Sequence, residues 1–94
     1  MSQDLSNKVV LVTGASRGIG KSIAAEMGAA GAHVVCAATV ASNATQIVDQ
    51  IEAAGGKAMA IGCRVEQGAD VARAFGEIEQ AFGPIDVLVN NAGI

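Results

Sequence analysis

VVLVTGASRGIG, residues 9–20, is the stretch that decides the fold of this 94-residue chain. An apolar run of four residues leads into a turn that contains Gly14, Gly18 and Gly20. Glycine permits a positive φ and leaves no Cβ between the backbone and a ligand. A helix that begins near Arg17 or Gly18 directs its unpaired N–H groups and its positive dipole end at this turn. The stretch therefore predicts a site for an anion such as a pyrophosphate.

Apolar strands and amphipathic helices alternate along the rest of the chain. The pattern predicts strands over 8–13, 33–38, 57–63 and 85–90, and helices over 17–30, 42–54 and 67–82. With right-handed crossovers, this is an α/β fold: a Rossmann-type doubly wound parallel sheet, partial, with four strands in the order 3-2-1-4 and three helices. Ligands bind such sheets where the strand order reverses, beyond the carboxyl ends of the strands. The glycine turn and the motif NNAG, residues 90–93, are therefore expected to share one cleft.

Single residues predict helix ends and faces. Gly31 is expected to end the first helix, and Ser42 or Asn43 to cap the second. His33, the only histidine, opens strand two and is expected at a solvated strand edge rather than as a catalytic base. The third helix repeats apolar residues at helical spacing, and its expected buried face consists of Val71, Ala74, Phe75, Ile78 and Phe82.

The composition limits the class of protein. Apolar residues make up 51% of the sequence, which is typical of a folded domain, and 94 residues form one domain at most. A net charge of -3 without a basic patch argues against nucleic acid as a partner. Without a signal-like or membrane-spanning run, a cytoplasmic protein is expected. Cys36 and Cys63 lack metal-ligand spacing, so no metal site is expected; they are predicted to be buried and reduced, with a redox pair as the alternative.

The glycine spacing narrows the class further. The pattern TGxxxGxG over residues 13–20 resembles the cofactor motif of the short-chain dehydrogenase/reductase family. The sequence GASRGIG, residues 14–20, is most similar to that of the 3-oxoacyl-(acyl carrier protein) reductases of that family. The alternative is a tight strand-to-helix turn that binds no ligand. The resemblance covers residues 1–94 but only the amino-terminal part of the family's length, so this chain is expected to be the amino-terminal portion of an NAD(P)-binding domain.

The region after strand two bears on the choice of cofactor. Domains that prefer NAD usually place Asp or Glu there, and a carboxylate would repel a 2′-phosphate. Residues 36–43 contain no acid, whereas Ser16, Arg17 and Thr39 offer hydroxyls and a positive charge, so NADP(H) is predicted. Arg17 at a helix start opposes the helix dipole and needs such a reason to be there. The alternative is a solvated helix-start residue.

The resemblance also implies roles for individual residues. Residues 14–17 match the family's phosphate and 2′-phosphate contacts, and the backbone at residue 19 approaches the pyrophosphate. Residue 39 meets the adenosine ribose or its phosphate, residues 64 and 65 hold adenine, and the NNAG motif steadies the sheet and lines the nicotinamide-side ribose. The implied cofactor-binding residues are Gly14, Ala15, Ser16, Arg17, Gly18, Ile19, Gly20, Thr39, Arg64, Val65, Asn91, Ala92 and Gly93.

Arg64 departs from the family pattern, which commonly has Asp or Asn at this position to accept a hydrogen bond from adenine. Arg carries donors only. It would stack on the adenine face or point to water. Adenine is then expected to be held by stacking and by backbone groups at Val65.

For the intact enzyme, the resemblance implies an NADPH-dependent oxidoreductase, usually tetrameric. It would reduce a 3-oxoacyl thioester of acyl carrier protein or CoA to the 3-hydroxyacyl form, as in fatty-acid biosynthesis. The family's catalytic Ser, Tyr-x-x-x-Lys pair and upstream Asn follow the NNAG motif, so no catalytic residue is assigned here. The chain is expected to be the cofactor half: a fragment, a partly recorded chain or one part of a split protein. The alternatives are a short-chain reductase for another ketone, or a non-catalytic nucleotide-binding or interaction module.

Overall fold

A computed structural model describes residues 5–64 and 67–91. Within them, every neighbouring pair of strands is parallel, and the strand order is β3-β2-β1-β4. This confirms the predicted doubly wound sheet. The strands are β1 (Val9–Val12), β2 (His33–Ala38), β3 (Lys57–Gly62) and β4 (Val87–Val89), and the helices are α1 (Gly18–Ala29), α2 (Thr45–Ala53) and α3 (Gly68–Ala81).

The two central strands are apolar on both faces because helices cover both sides of the sheet. Val10 and Val34 belong to a core cluster that includes buried side chains of α1 and α2. Leu11 and Val35 belong to a second cluster, with buried side chains of α3. This two-sided burial explains why the apolar run of β1 is unbroken instead of alternating.

The start of the second helix differs from the prediction. Residues Ala41–Ala44 form a 3-10 turn, and α2 begins only at Thr45. The predicted caps are wrong, because Ala44 is the N-cap of α2 and no side chain caps it. The Thr45 hydroxyl instead donates a hydrogen bond to the Ser42 carbonyl oxygen at 3.0 Å. The end of α1 agrees with the prediction, since Gly31 follows it with a φ of +95°.

The edge strand β4 is shorter than the predicted 85–90, because only three of its residues pair with β1. Before the strand, the Asp86 carboxylate accepts a hydrogen bond from the Val9 N–H at 2.8 Å, and the Asp86 N–H donates to the Val9 carbonyl oxygen at 2.9 Å. After the strand, the Asn90 side-chain oxygen lies 3.2 Å from the Thr13 hydroxyl. Two side chains thus fix the register of β1 and β4 at both ends.

The predicted burial of Phe75 and the predicted solvent exposure of His33 are both wrong. Phe75 of α3 is 38% exposed, although its helical neighbours Ala74 and Ile78 are buried as predicted. Phe75 lines an apolar cleft beside Leu88, which is itself 53% exposed. His33 is half-buried rather than solvated, and its ring centroid lies 5.4 Å from that of Phe82. The third helix therefore packs over β1, β2 and β3 and leaves its Phe75 side open.

The two cysteines are free, and they differ in burial. Cys36 is buried as predicted, whereas Cys63 is only half-buried. Burial raises the pKa of the Cys36 thiol to about 12, so this group is an uncharged core side chain at neutral pH. Across residues 5–64 and 67–91, no helix is both long and apolar enough to cross a membrane, and no three His, Cys, Asp or Glu side chains gather as metal ligands.

Candidate dinucleotide-binding site

Residues 13–18, here called the glycine loop, lead from the end of β1 into the first residue of α1 at the carboxyl end of the sheet. Gly14 and Gly18 have φ values of +63° and +61°, in the left-handed region that favours glycine. Gly20 is buried in the first turn of α1, where a Cβ would collide with the carbonyl oxygen of Gly14 and lie 2.6 Å from Nδ2 of Asn91. The motif glycines are therefore required by the backbone geometry of the loop itself.

Two backbone hydrogen bonds fix the glycine loop to the strands on either side. The Thr13 N–H donates to the Val89 carbonyl oxygen in β4, and the Ala15 N–H donates to the Ala37 carbonyl oxygen in β2, each at 3.0 Å. Ala15 is also completely buried. Because its N–H is engaged with β2, any contact of Ala15 with a ligand would have to use its other atoms. Its role as a cofactor contact stays a prediction.

The Thr13 hydroxyl joins the glycine loop to the residues that follow β4. It accepts a hydrogen bond from the Asn91 N–H at 2.8 Å. Its own proton can go to the Asn90 side-chain oxygen at 3.2 Å or to the Val89 carbonyl oxygen at 3.4 Å. The Asn91 side chain in turn donates to the Gly14 carbonyl oxygen at 3.5 Å. The structure thus brings the glycine loop and Asn91 together as predicted, while Ala92 and Gly93 lie outside the described residues.

From the sequence alone, Thr13 has no predicted role. A role for Thr13 can be inferred only once the register of β1 and β4 is known. Val12 pairs with Val89, so the next residue of each strand, Thr13 and Asn90, must lie opposite one another beyond the ladder. A hydroxyl in that position can accept from one chain segment and donate to another.

The other side of the glycine loop borders a solvent-open depression of about 440 Å³, which also meets the segment after β2. Arg17 is the N-cap residue of α1, and its exposed side chain makes no capping hydrogen bond. Thr39 follows the last residue of β2 and is exposed. The residues that line the depression are Ser16, Arg17, Ala38, Thr39 and Asn43. This lining combines one cation, two hydroxyls and an amide, without a carboxylate, and suits a phosphate group.

Asn43 was not among the predicted site residues. The sequence predicts Asn43 only as a possible N-cap of the second helix. The 3-10 turn Ala41–Ala44 changes this, because the chain doubles back after Thr39 and brings Asn43 to the wall of the depression.

The first turn of α1 faces the glycine loop. Its leading N–H groups have no acceptor within the helix. Ile19, in this turn, is 65% exposed, so its side chain is not part of the buried face of α1. Its predicted contact is through the backbone, and that is the part of the residue that lies in the turn. Gly18 beside it has no atom within 4 Å of the position that a Cβ would take, so its surroundings are open.

Arg64 follows β3, and a set of polar contacts fixes its backbone. Its N–H donates to Oδ2 of Asp70 at 2.6 Å, while Oδ1 of Asp70 accepts from Nε and Nη2 of Arg73 at 3.0 and 2.8 Å. Arg73 also donates to the Gly62 carbonyl oxygen at 2.6 Å and to Glu77 at 2.7 Å. These five residues are called the Asp70 network below. The Arg64 side chain is exposed, and Val65 lies outside the described residues.

Hydrogen bonds and neighbouring positive charge both lower the pKa of Asp70. The Arg64 N–H and the Arg73 guanidinium hold the pKa of the Asp70 carboxyl below its ordinary value, and the Asp70 and Glu77 carboxylates raise the pKa of Arg73. Both groups are therefore charged at neutral pH. The sequence signal for this network is an acid in the first turn of α3 with an arginine three residues later.

Comparisons with known proteins agree with this geometry. The family model described as short chain dehydrogenase matches residues 8–94, and the chain belongs to this family. A hydroxynaphthalene reductase-like protein of Metarhizium guizhouense is 44% identical over 92 residues, which are 97% of this chain and 34% of that protein. A 3-oxoacyl-[acyl-carrier-protein] reductase of Staphylococcus epidermidis is 46% identical over 89 residues, 94% of this chain and 36% of that protein. The chain thus spans about a third of the length of these curated relatives.

Solved structures of the same family superpose closely. A metagenomic short-chain oxidoreductase in complex with NADP has a TM-score of 0.90 at 42% sequence identity, covering 96% of this chain and 41% of that one. A short-chain type dehydrogenase/reductase from Mycobacterium marinum has a TM-score of 0.92 at 41% identity, covering 100% of this chain and 40% of that one. The fold and the family are therefore shown by sequence and by structure.

Proposed function

We propose that this chain is the amino-terminal portion of an NADP(H)-binding domain and supplies the cofactor half of a short-chain reductase. The observation that carries the proposal is the depression in which Arg17, Ser16 and Thr39 meet without a carboxylate. A 2′-phosphate needs a cation and hydrogen-bond donors, and a carboxylate would repel it. The NADP complex of the metagenomic relative supports this choice of cofactor.

The residues of the glycine loop suit the remaining phosphates. The loop backbone is open at Gly18, and the unpaired N–H groups of the first turn of α1 are directed at the space that a pyrophosphate would occupy. Asn91, anchored through Thr13, also contacts the Gly14 carbonyl oxygen of the loop and is assigned to the nicotinamide-side ribose. When bound, NADPH supplies a hydride for a carbonyl carbon of the substrate. The residues of this chain bind the cofactor and orient it.

For the substrate, we infer a 3-oxoacyl thioester of acyl carrier protein or CoA, reduced to the 3-hydroxyacyl form as in fatty-acid biosynthesis. The motif GASRGIG and the 46% identity to a 3-oxoacyl-[acyl-carrier-protein] reductase support this class. The second candidate is another ketone, and the 44% identity to a hydroxynaphthalene reductase-like protein favours a cyclic one. Assembly as a tetramer and a cytoplasmic location stay predictions of the family resemblance.

The test uses the full-length protein that contains this chain. Calorimetric titration compares the affinities for NADPH and NADH, and the loss of NADPH absorbance then measures turnover of acetoacetyl-CoA and of 1-tetralone, a cyclic ketone. Tighter NADPH binding with turnover of the thioester supports the proposal, and turnover of 1-tetralone alone favours the second candidate. NADPH binding without turnover of any ketone would indicate a non-catalytic nucleotide-binding module. A protein that binds NADH more tightly than NADPH refutes the assignment of the depression.

A further inference from the structure

One member of the Asp70 network, Gly62, lies next to the backbone that forms the wall of the depression assigned to the 2′-phosphate. Gly62, at the end of β3, pairs with Ala38, and the Cys63 N–H donates to the Ala38 carbonyl oxygen at 2.8 Å. Gly62 also abuts the segment after β2, since a Cβ on it would lie 3.1 Å from the Ala41 nitrogen and 3.5 Å from the Thr39 carbonyl oxygen. A shift of the β3 end would therefore move the backbone that carries Thr39.

Two side chains of α3 hold this strand end from both sides of Cys63. Arg73 donates to the Gly62 carbonyl oxygen before it, and Asp70 accepts from the Arg64 N–H after it, both at 2.6 Å. The two side chains are joined to each other through Oδ1 of Asp70. The carboxylate and the guanidinium thus act as one bracket between the first two turns of α3 and the backbone of residues 62–64.

The contacts between Asp70, Arg73 and residues 62–64 are not explained by a large contribution to folding stability. The Asp70 and Arg73 side chains are 25% and 45% exposed, and an ion pair in contact with water contributes little to the free energy of unfolding. Its hydrogen bonds instead go to two backbone groups at the carboxyl edge of the sheet. This is the edge at which ligands of doubly wound sheets bind.

We propose that Asp70 and Arg73 are positioning residues for the adenosine half of the bound dinucleotide. They fix the backbone at residue 64, and through Gly62 they support the Thr39 wall of the depression. The Arg64 side chain has donors only and cannot accept a hydrogen bond from the adenine amino group. The position of the backbone at residue 64 is therefore more important for holding adenine than it would be with an acceptor side chain there. The proposal rests on the proposed NADP(H) site, and it adds two residues that contact no part of the cofactor.

The test compares two charge-matched variants of the full-length protein. Asp70→Asn and Glu77→Gln each remove one negative charge and one ionic partner of Arg73, but only Asp70 contacts the Arg64 backbone. The probe is 2′,5′-ADP, which represents the adenosine half of NADPH, and binding is measured by calorimetry. We expect Asp70→Asn to weaken 2′,5′-ADP binding about three- to tenfold, because an ionic acceptor is lost from a backbone donor. We expect Glu77→Gln to stay within about twofold of the wild type.

A second readout separates positioning from a general loss of structure. With the ketone substrate that the wild type turns over, Asp70→Asn should raise the KM for NADPH in the same proportion as the 2′,5′-ADP dissociation constant and leave kcat unchanged. If Asp70→Asn fails to fold, Arg73→Lys takes its place. It keeps the charge but loses the fork that reaches both Asp70 and Gly62, and it should weaken 2′,5′-ADP binding to a similar extent.

The outcomes distinguish this inference from the function on which it rests. If the wild type binds NADPH and 2′,5′-ADP, and the folded Asp70 or Arg73 variant binds 2′,5′-ADP equally well, the positioning role is overturned and the cofactor assignment stands. An equal loss in Glu77→Gln would also overturn it, since charge alone would then explain the effect. A wild type that binds neither NADPH nor 2′,5′-ADP overturns both proposals.

Discussion

Replacing Gly20 with alanine tests whether the glycine loop and Asn91 form one rigid unit. The added Cβ would collide with the Gly14 carbonyl oxygen and lie 2.6 Å from Nδ2 of Asn91. The first neighbour is a backbone atom, so no change of side-chain rotamer can relieve the contact. Either the start of α1 moves away from the loop, or Gly14 shifts and loses its hydrogen bond from Asn91.

The cost follows from these contacts. Overpacking of a tight site costs about 1–3 kcal/mol, and loss of the Asn91 hydrogen bond adds about 1 kcal/mol. The better helix propensity of alanine offsets about 1 kcal/mol of that sum. The free energy of unfolding should therefore fall by about 1–3 kcal/mol. NADPH binding should weaken at least about tenfold, because the displaced Gly14 belongs to the loop assigned to the phosphates.

The matched control is Gly76→Ala in α3. No atom lies within 4 Å of the Cβ position at Gly76, so the same substitution should raise stability by about 0.5–1 kcal/mol through helix propensity alone. Urea unfolding of the two full-length variants, with NADPH titration of each, gives both comparisons. If Gly20→Ala is as stable as the wild type and binds NADPH equally well, the close approach of α1 to the loop is refuted as a requirement.

Four further perturbations follow from the same contacts. Thr13→Val leaves the Asn91 N–H without its acceptor and should lower the free energy of unfolding by about 1–3 kcal/mol, whereas Thr13→Ser should retain most of it; urea unfolding measures both. Arg17→Gln should weaken NADPH binding about tenfold and leave NADH binding within about twofold, as measured by calorimetry; an equal loss for both cofactors would contradict the 2′-phosphate assignment. Because the pKa of Asp70 is lowered in the folded state, its stabilising contribution is present at neutral pH and is lost as the pH falls through that lowered value. The stability difference between wild type and Asp70→Asn should thus shrink at acid pH, and a difference independent of pH would contradict it. Cys36, with its pKa raised to about 12, should resist iodoacetamide at pH 8 until urea unfolds the chain; rapid labelling of Cys36 in the native protein would contradict its position in the core.

The strand order and the position of the loop could be predicted because they depend on local patterns. An unbroken apolar run predicts a central strand, and the short connections to helices force parallel pairing. The placement of the glycine loop next to Asn91 then follows from topology alone. No side-chain detail was needed, because both segments leave the same edge of the sheet.

The errors occur where distant parts of the chain decide the outcome. Helical spacing correctly placed Ala74 and Ile78 inward, but periodicity cannot tell whether a neighbouring element reaches Phe75. Asn43 is predicted as a helix cap because the spacing of Ala44, Ile47, Val48 and Ile51 indicates a helix over residues 42–54. The 3-10 turn that precedes α2 depends on the return of the chain past Gly62, which the local sequence does not encode. The Asp70 network likewise could not be predicted, because the sequence does not show that the Gly62 carbonyl oxygen at the end of β3 lies within reach of Arg73.

The two contacts that fix β4 have a consequence for the order in which the protein assembles. Asp86 and Val9 are 77 residues apart in sequence, as are Thr13 and Asn90, whereas β1 and β2 pair already between Val9 and His33. Closing the longer loop costs about 1 kcal/mol more in chain entropy. During synthesis the ribosome releases Asn91 after all the other described elements. Among the described elements, the joining of Asn91 to the glycine loop is therefore a late step, whereas the depression beside Arg17 and Thr39 needs only β1, β2 and the segments that follow them.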